Sequence, residues 1–386
     1  MNEYPMIAKT LKGLEEVLAG ELVALGADNV ELQRRAVSFT GDKALMYKAN
    51  LHLRTALRVL RPIATFKATT PEDVYAAVMG IDWSQWLDTE ASFAIDSTIY
   101  SDEISNTRFL TYRVKDGIVD WFKAKYDKRP SVKLDHPDIL INVHLSHKQC
   151  TLSLDSSGES LHKRAYRVDQ LEAPISEVLA AGMLLLAGWD GQCDLLDPCC
   201  GSGTFLIEGA LIALNIPPGL YRTGFGFEKW KDFDQEMFDD VYQDDSKERP
   251  FTHRIYGSDI SRRAIEVAKE NISNAGLTKY IVLKQLPVAD LAPPNDEPCL
   301  IVTNPPYGER INPADISSIY SDLGRSLKHR FPGSTAWIIS SSEDLLKQIG
   351  LKPAQKIHLL NAALECQYNR YDMFVGKRNE YLQQQT

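Results

Sequence analysis

The sequence predicts an α/β fold in which a mostly parallel sheet is preceded by two smaller α+β units. From residue 173 onward, apolar runs of strand length alternate with amphipathic helical patterns, which is typical of a parallel sheet covered by helices on both faces. Residues 1–65 and 70–157 instead combine short strands with single helices. The length of 386 residues allows two or three domains of ordinary size.

The first unit is predicted to run strand, helix, two strands, helix, strand. Residues 12–26 place apolar side chains at helical spacing and end at Gly26, a natural stop signal. The second unit opens with a helix at Thr70-Pro71, where proline suits the first helical position. The polar stretch 155–160 is interpreted as a linker. The other predicted elements are a strand at 6–10, a strand or bent strand pair at 30–42, helices near 42–56 and 110–126, and strands at 58–67, 92–100 and 139–155, the last forming two strands around a turn near His147.

The third region alternates strands and helices to the end of the chain. Its apolar segment 173–189 is interrupted by Ser176 and Glu177 and falls short of the ~20 residues that span a bilayer, so it predicts a buried helix. Residues 215–250 are rich in aromatic residues and aspartate without clear periodicity, and they are interpreted as an insertion. Strands are predicted at 193–198, 254–260, 280–286, 299–304, 334–341, 356–361 and 367–376, with helices at 261–275 and 315–331.

Composition limits the classes of partner and compartment. A net charge of −9 argues against nucleic-acid binding over the whole surface, because phosphate binding needs clustered lysine and arginine. Residues 1–172 carry 22 basic and 24 acidic side chains, so most of the excess negative charge lies after residue 172. A local basic patch in the first half of the chain therefore stays possible. The N-terminus lacks a signal-peptide core, and the six cysteines lack metal-ligand spacing. We expect a cytoplasmic protein with reduced thiols, no metal site and no membrane association.

The segment DPCCGSGT, 197–204, joins a predicted strand to a predicted helix. Its two glycines allow a tight turn and close approach to a ligand, and the helix N-terminus presents free N–H groups. We therefore expect a nucleotide-like cofactor, although a plain glycine-rich turn would give the same pattern. The predicted cofactor-binding residues of this segment are Asp197, Cys199, Gly201, Ser202, Gly203 and Thr204.

Acidic residues follow the next two predicted strands. Asp259, with Ile260 beside it, can accept hydrogen bonds from both ribose hydroxyls of a nucleoside, or it can cap the following helix. Asp290 is a candidate contact to an adenine edge, or a solvated turn residue. The chain lacks the GK[ST] of a P-loop, and the glycine after Gly203 is Gly209, inside the predicted helix. S-adenosylmethionine is therefore a better candidate cofactor than ATP or NAD.

The predicted strand 299–304 runs into the tetrapeptide NPPY, 304–307. Proline cannot donate to a sheet ladder, so the strand has to end there. Asn-Pro is also common turn chemistry, and the tetrapeptide alone is compatible with a simple strand-ending turn.

In the order DPCCGSGT, SDIS and NPPY, the chain resembles the class I S-adenosylmethionine-dependent methyltransferases that methylate exocyclic amines. With LHKRAYR at 161–167 and NPPYGER at 304–310, it is similar to the THUMP-domain RNA methyltransferases that make N2-methylguanosine, particularly bacterial enzymes acting on 23S rRNA. Relatives often carry the label N6-adenine-specific DNA methylase. The sequence departs from the pattern of these enzymes at three places. Cys199 stands where they usually have a larger apolar residue, Ala165 stands where glycine is common, and the insertion at 215–250 lengthens the spacing to Asp259.

The resemblance covers nearly the whole chain. It implies a Rossmann-like class I methyltransferase sheet, preceded by ferredoxin-like and THUMP-like α+β units. The expected divisions are a ferredoxin-like unit at 1–67, a THUMP-like RNA-binding domain at 68–157, a linker at 158–172 and a methyltransferase domain at 173–386.

The resemblance assigns catalysis to Asn304, Pro305 and Tyr307, with Asn304 also expected to touch the cofactor. An aryl amine is a poor nucleophile, and the Asn304 side-chain oxygen and Pro305 carbonyl can accept hydrogen bonds from its N–H groups. Tyr307 offers a stacking surface worth about 1–3 kcal/mol to a base that has left its stack.

Basic segments supply the expected RNA contacts. Residues 122–133 carry five basic side chains and one acidic side chain with Trp121 and Tyr126 nearby, which suits an RNA backbone or a solvated helix face. LHKRAYR suits substrate phosphates or a linker that only packs. The predicted RNA contacts are Lys123, Lys125, Lys128, Arg129, His162, Lys163, Arg164 and Arg167.

The leading prediction is methyl transfer to guanine N2 of 23S rRNA, with no obligate protein partner. NPPY alone does not separate guanine N2 from adenine N6, so an N6-adenine methyltransferase on DNA or RNA stays an alternative. A glutamine-N5 protein methyltransferase would not need the N-terminal RNA-type units. A non-catalytic RNA-binding or assembly factor is the alternative from another class, and the intact motif residues count against it.

Overall fold

A computed structural model describes residues 3–169, 174–307 and 313–374. Contacts divide the chain into two compact units that are not contiguous in sequence. The first unit combines the residues up to Thr10 with Leu18–Lys163 and Arg222–Asp244. The second combines Leu11–Val17, Arg164–Tyr221 and the residues from Asp245 onward. The domain boundaries expected from the sequence stay predictions.

The described residues form the following helices and strands. The helices are α1 (Glu15–Ala24), α2 (Lys43–His52), α3 (Pro71–Met79), α4 (Thr107–Tyr126), α5 (Glu177–Leu186), α6 (Thr204–Leu214), α7 (Gln235–Tyr242), α8 (Arg262–Asn274), α9 (Pro313–Arg330) and α10 (Glu343–Gln348). The strands are β1 (Tyr4–Lys9), β2 (Asp28–Gln33), β3 (Ala36–Gly41), β4 (Arg58–Lys67), β5 (Ser92–Tyr100), β6 (Ser131–Val132), β7 (Ile139–Ser146), β8 (Gln149–Asp155), β9 (Asp194–Asp197), β10 (Ile255–Asp259), β11 (Ile281–Gln285), β12 (Cys299–Thr303), β13 (Thr335–Ser340), β14 (Gln355–Asn361) and β15 (Leu364–Asp372).

The first unit is built on a mixed eight-stranded sheet in the order β2-β3-β1-β4-β8-β7-β5-β6. Its elements follow the order predicted from the sequence, including the strand pair β7–β8 with His147 in its turn. Local chemistry explains the start of α3. The Thr70 hydroxyl accepts from the Asp73 N–H at 3.2 Å and the Asp73 carboxylate accepts from the Thr70 N–H at 2.9 Å, which is a capping box ahead of Pro71.

Residues 155–157 are buried and hydrogen-bonded, so the interpretation of 155–160 as a polar linker is wrong for its first three residues. The Asp155 carboxylate pairs with Arg58 at 2.5 Å. The Ser156 hydroxyl donates to the Val59 carbonyl at 2.7 Å, and the Ser157 hydroxyl donates to the Asn50 side chain at 2.7 Å. Buried polar groups are tolerated when they are paired in this way.

The predicted insertion contributes its central part, Arg222–Asp244, to the first unit rather than forming an isolated excursion. Phe227 packs its ring 4.4 Å from that of Tyr47, within an aromatic group that also contains Phe225, Phe233 and Phe238. The Arg222 guanidinium donates to four backbone carbonyls, those of Ser157, Glu159, Ser160 and Lys163.

The second unit contains a seven-stranded sheet in the order β11-β10-β9-β12-β13-β15-β14. The pairings among β9–β13 are parallel, while β15 runs antiparallel to β13 and β14. The carboxyl ends of β9, β10 and β12 therefore share one edge, here called the carboxyl edge. Because Ser340 at the end of β13 lies opposite Gln367 in β15, the β14–β15 turn also reaches this edge. These strands confirm the predicted ones to within one residue at either end, except that β15 begins three residues and ends four residues before the predicted 367–376.

Helix α5 confirms the buried helix predicted from the apolar segment 173–189. Residues Glu177 to Leu184 are buried along its length. Within the ranges that the structure describes, no helix is both long enough and apolar enough to cross a membrane.

Candidate active site

The glycine loop joins β9 to α6 at the carboxyl edge of the second unit. Gly201 and Gly203 have φ angles of +52° and +83°, in the left-handed region that glycine tolerates best. A Cβ atom at Gly203 would lie 3.3 Å from the Cβ of Ala268, so α8 approaches the loop closely. Gly203 also stands at the start of α6 without a side-chain cap, so it leaves helix N–H groups without a local side-chain acceptor.

Three motifs that are distant in sequence meet at this edge. The Gly201 N–H donates to Asp259 Oδ2 at 3.0 Å, which joins the glycine loop to the end of β10. The Thr303 hydroxyl donates to Asp197 Oδ1 at 2.7 Å, which joins the end of β12 to the end of β9. Asn304 follows Thr303 directly. The structure thus brings the predicted cofactor and NPPY residues together.

Asp197 is a buried carboxyl group with one free oxygen. Its Oδ1 accepts from Thr303 and from the Cys199 N–H at 3.1 Å, while Oδ2 is buried without a partner among the described residues. Burial raises the pKa of Asp197 to about 7, against the opposing effect of these hydrogen bonds. A buried unpaired carboxylate oxygen is suited to a cationic or hydrogen-bond-donating ligand.

Asp259 is not the cap of α8. Ser261 occupies that position, and its hydroxyl accepts from the Ala264 N–H at 3.3 Å. Asp259 Oδ1 accepts from the Ser261 N–H and Oδ2 from Gly201, which leaves lone pairs on both oxygens for ribose hydroxyls. Ile260 beside it is 69% exposed, so an apolar surface adjoins this carboxylate.

The NPPY segment ends β12 and presents an acceptor without a partner. Asn304 Oδ1 is buried and accepts no hydrogen bond within the described part of the chain. Pro305 is buried after it, and neither proline brings an N–H group. Tyr307 accepts a hydrogen bond from Asn361 Nδ2 at 2.7 Å, and burial raises the pKa of its hydroxyl to about 12. The GER residues that follow lie outside the described residues.

Arg167 corrects a prediction, because it points into the protein rather than toward RNA. Its guanidinium donates to Ser202 Oγ at 2.8 Å and Thr204 Oγ1 at 3.0 Å, and it pairs with Glu177 at 2.8 Å. The hydroxyls of Ser202 and Thr204, predicted to bind cofactor, therefore also hold the glycine loop to the residues before α5. No pattern in the sequence indicated that Arg167 would contact these hydroxyls and Glu177.

Arg164 is corrected in the same way. Its side chain is 2% exposed and lies 3.6 Å from Glu208, which is fully buried in α6. The Tyr166 hydroxyl donates to the same carboxylate at 3.0 Å. Arg164 therefore balances a buried charge and is not available to an RNA phosphate.

The other predicted RNA contacts are in the first unit. Lys123, Lys125, Lys128 and Arg129 are exposed at the end of α4 and just after it. Lys125 pairs with Asp82 at 3.4 Å, and Lys128 with Glu90 at 3.8 Å. His162 Nδ1 lies 2.8 Å from the Ser160 hydroxyl, and Lys163 pairs with Glu159 at 3.2 Å. A role of these residues in RNA binding stays a prediction.

Asp290 follows β11, whose last residue, Gln285, lies opposite Asp259 at the carboxyl edge. It is exposed in a short turn whose carbonyls at 289 and 291 accept hydrogen bonds from Arg330 at the end of α9. Its contact with an adenine edge stays a prediction.

The remaining residues fit a nucleoside cofactor that carries positive charge. The glycine loop can approach it closely, Asp259 offers ribose acceptors, Ile260 offers an apolar face, and Asp197 has a free buried oxygen. On this fold, such a site beside NPPY defines a class I methyltransferase that uses S-adenosylmethionine.

The family comparisons agree with that class. Residues 164–370 match the RMKL-like methyltransferase domain, residues 5–60 the RlmL ferredoxin-like domain and residues 68–155 the THUMP domain. The chain belongs to the RMKL-like methyltransferase family, which confirms the resemblance inferred from the motifs.

Two curated relatives are similar over most of this chain. A protein of Synechocystis named "Putative RNA methyltransferase" is 40% identical over 96% of this chain and 97% of its own length. The ribosomal RNA large subunit methyltransferase K/L of Syntrophotalea carbinolica is 40% identical over 94% of this chain. The match covers 52% of that relative, so the chain spans about half the length of the K/L protein.

Two solved structures are similar over nearly their whole length. A "putative methyltransferase" complexed with SAH has a TM-score of 0.87 at 28% identity, covering 98% of this chain and 100% of its own. A predicted N6-adenine-specific DNA methylase from Listeria monocytogenes has a TM-score of 0.86 at 31% identity, covering 97% of both chains. These likenesses confirm the predicted Rossmann-like architecture with its N-terminal α+β units.

Proposed function

We propose that this protein transfers a methyl group from S-adenosylmethionine to the N2 amine of a guanine in 23S rRNA. The observation that carries the proposal is the buried, unpartnered Asn304 Oδ1 beside Pro305, at the edge where the glycine loop lies. RNA as the substrate class is supported by the THUMP match and by relatives named as rRNA methyltransferases. The bound cofactor would supply an electrophilic methyl group.

The Asn304 side-chain oxygen and the Pro305 carbonyl would activate the amine by accepting hydrogen bonds from its two N–H groups. The lone pair of an aryl amine is delocalised into the ring, and two acceptors on its N–H groups favour the pyramidal nitrogen that can attack. A buried acceptor such as Asn304 Oδ1 incurs a desolvation cost until a donor arrives, so a donor placed there is bound strongly. Preorganised polar groups of this kind usually supply much of the rate gain.

Tyr307 and the basic residues of the first unit would bind the substrate. Tyr307 can stack on a base that has left its stack, since every base has a π face. Lys123, Lys125, Lys128 and Arg129, with His162 and Lys163, would contact the RNA backbone from the first unit.

A nucleoside analysis of rRNA tests the proposal. Ribosomal RNA from a deletion strain is incubated with the purified protein and S-adenosylmethionine, then digested and analysed by mass spectrometry. We expect N2-methylguanosine to rise in the 23S fraction with the wild-type protein and not with Asn304→Ala. N6-methyladenosine in its place would assign the alternative base, and S-adenosylmethionine binding without methyl transfer to any RNA would favour a binding factor.

A further inference from the structure

Tyr307 is fixed at its hydroxyl end by a residue that is 54 positions away in sequence. Asn361 Nδ2 donates to the Tyr307 hydroxyl at 2.7 Å, and Cys366 Sγ lies 3.9 Å from the same oxygen. Asn361 is the last residue of β14, and Cys366 lies near the start of β15. Both therefore flank the turn that reaches the carboxyl edge.

A hydrogen bond at this position restrains the ring of Tyr307. The torsion that turns a tyrosine ring is broad and roughly two-fold, so the local backbone specifies the plane weakly. The hydroxyl oxygen lies on the axis of that torsion, so the bond from Asn361 fixes the far end of the axis and favours one ring plane through the direction of the oxygen lone pairs. It does so without using either face of the ring.

We propose that Asn361 is a positioning residue that orients the Tyr307 ring as the stacking surface for the extruded base. The inference rests on the proposed function of Tyr307 and deepens it. Asn361 contacts the tyrosine hydroxyl and not the reacting atoms. The β14–β15 turn thus becomes a third component of the substrate site, beside the glycine loop and NPPY.

A double-mutant cycle tests the coupling. The kcat/KM for an unmodified 23S rRNA transcript is measured at saturating S-adenosylmethionine for Asn361→Leu, Tyr307→Phe and the double variant. Each single change removes the same hydrogen bond, so we expect about a fivefold loss in each and no further loss in the double variant. Asn361→Asp should recover most of the activity, because a carboxylate can accept from the tyrosine hydroxyl.

Two results of this cycle would overturn the proposal. Single losses that multiply in the double variant would mean that the two residues act independently. An equal loss of S-adenosylmethionine affinity in Asn361→Leu would place the effect in the fold of the unit rather than in the base site.

A spectroscopic experiment tests the hydrogen bond between Asn361 and Tyr307 without requiring methyl transfer. With 3-fluorotyrosine at position 307 alone, the ¹⁹F spectrum should show one sharp line in the wild-type chain and in Asn361→Asp. In Asn361→Leu we expect a broadened or second line, because the ring can then adopt more than one orientation. An unchanged line in Asn361→Leu would refute the proposal, whereas a protein that methylates no RNA would refute only the proposed function.

Discussion

Asp197 is the residue whose ionisation should couple most directly to cofactor binding. Burial raises its pKa to about 7, so in the ligand-free protein the Asp197 carboxyl changes its protonation state around neutral pH. A raised carboxyl pKa favours the protonated folded state, so its contribution to the free energy of unfolding falls as pH rises from the unfolded value toward 7. A cationic ligand reverses that preference by favouring the carboxylate.

We therefore expect S-adenosylmethionine to bind more tightly as pH rises from 6 to 8, by about tenfold in Kd. Calorimetry at each pH, repeated in buffers of different ionisation enthalpy, should also detect proton release near pH 7. Asp197→Asn is the control: it should bind S-adenosylmethionine more weakly, with a Kd that does not change between pH 6 and 8. If Asp197→Asn showed the same pH dependence as the wild-type protein, Asp197 could not be its cause.

Ala165 adopts a backbone conformation that favours glycine. Its φ angle is +71° and its side chain is exposed. A left-handed conformation costs about 1–2 kcal/mol for a residue with a Cβ, and the greater chain entropy of glycine offsets about 0.5–1 kcal/mol of that. Ala165→Gly should therefore raise the free energy of unfolding by about 0.5–1 kcal/mol, measured by denaturant titration.

The matched control for Ala165→Gly is an exposed alanine in a helix. Ala124 is exposed within α4. Ala124→Gly should lower stability by about 1 kcal/mol, which is the helix propensity difference. If both substitutions destabilised equally, the positive φ angle at Ala165 would carry no cost.

At the scale of elements, the segment Arg222–Asp244 adds an aromatic group to the first unit. Phe227 is 1% exposed and packs against Tyr47 and Phe238. Phe227→Ala should cost about 3–5 kcal/mol, because it leaves a cavity among rings that cannot fully collapse. Thermal unfolding should show the loss, while Phe109→Ala, at a site 45% exposed, should change little. Equal effects would mean that the segment does not stabilise its unit.

The sequence was informative about elements because their signals are local. Alternation predicted β7 and β8, Thr70 and Pro71 predicted the start of α3, and the prolines after Asn304 predicted the end of β12. The motifs placed Asp197, Asp259 and Asn304 at one edge, because parallel strands align their carboxyl ends.

The missed features depend on contacts between distant segments. Whether a basic residue such as Arg164 faces solvent or a buried Glu208 is decided by the packing of α6 and not by the residues around it. The same holds for Arg167, whose partners lie in the glycine loop, and for Asn361, whose partner is Tyr307.

At the scale of the whole molecule, the proposed binding of RNA has to overcome a net charge of −9. Lys123 and Arg129 are exposed, and no carboxylate of the described residues pairs with either of them. The double variant Lys123→Ala/Arg129→Ala should weaken binding to a 23S rRNA transcript several-fold and reduce the salt slope by about 2, one for each phosphate contact. Filter binding at several salt concentrations measures both quantities.

The control for this RNA-binding variant replaces exposed lysines of the second unit. Lys347→Ala/Lys352→Ala removes the same charge, and it should leave the salt slope unchanged. S-adenosylmethionine affinity should be equal in all three proteins. An unchanged slope in the Lys123/Arg129 variant would move the RNA contact away from the end of α4.

The two units exchange segments of chain, and this bears on how the protein is made. Leu11–Val17 belongs to the second unit. Its Leu14 side chain packs against Gly182, because a Cβ atom added at Gly182 would lie only 2.6 Å from the nearest Leu14 carbon. Arg222–Asp244 belongs to the first. On the ribosome, the first unit is completed only after residue 244 has emerged, and the second unit needs Leu11–Val17, which is synthesised before most of the first unit. Neither can mature as an independent early product, so we expect folding to be completed late in translation or after release.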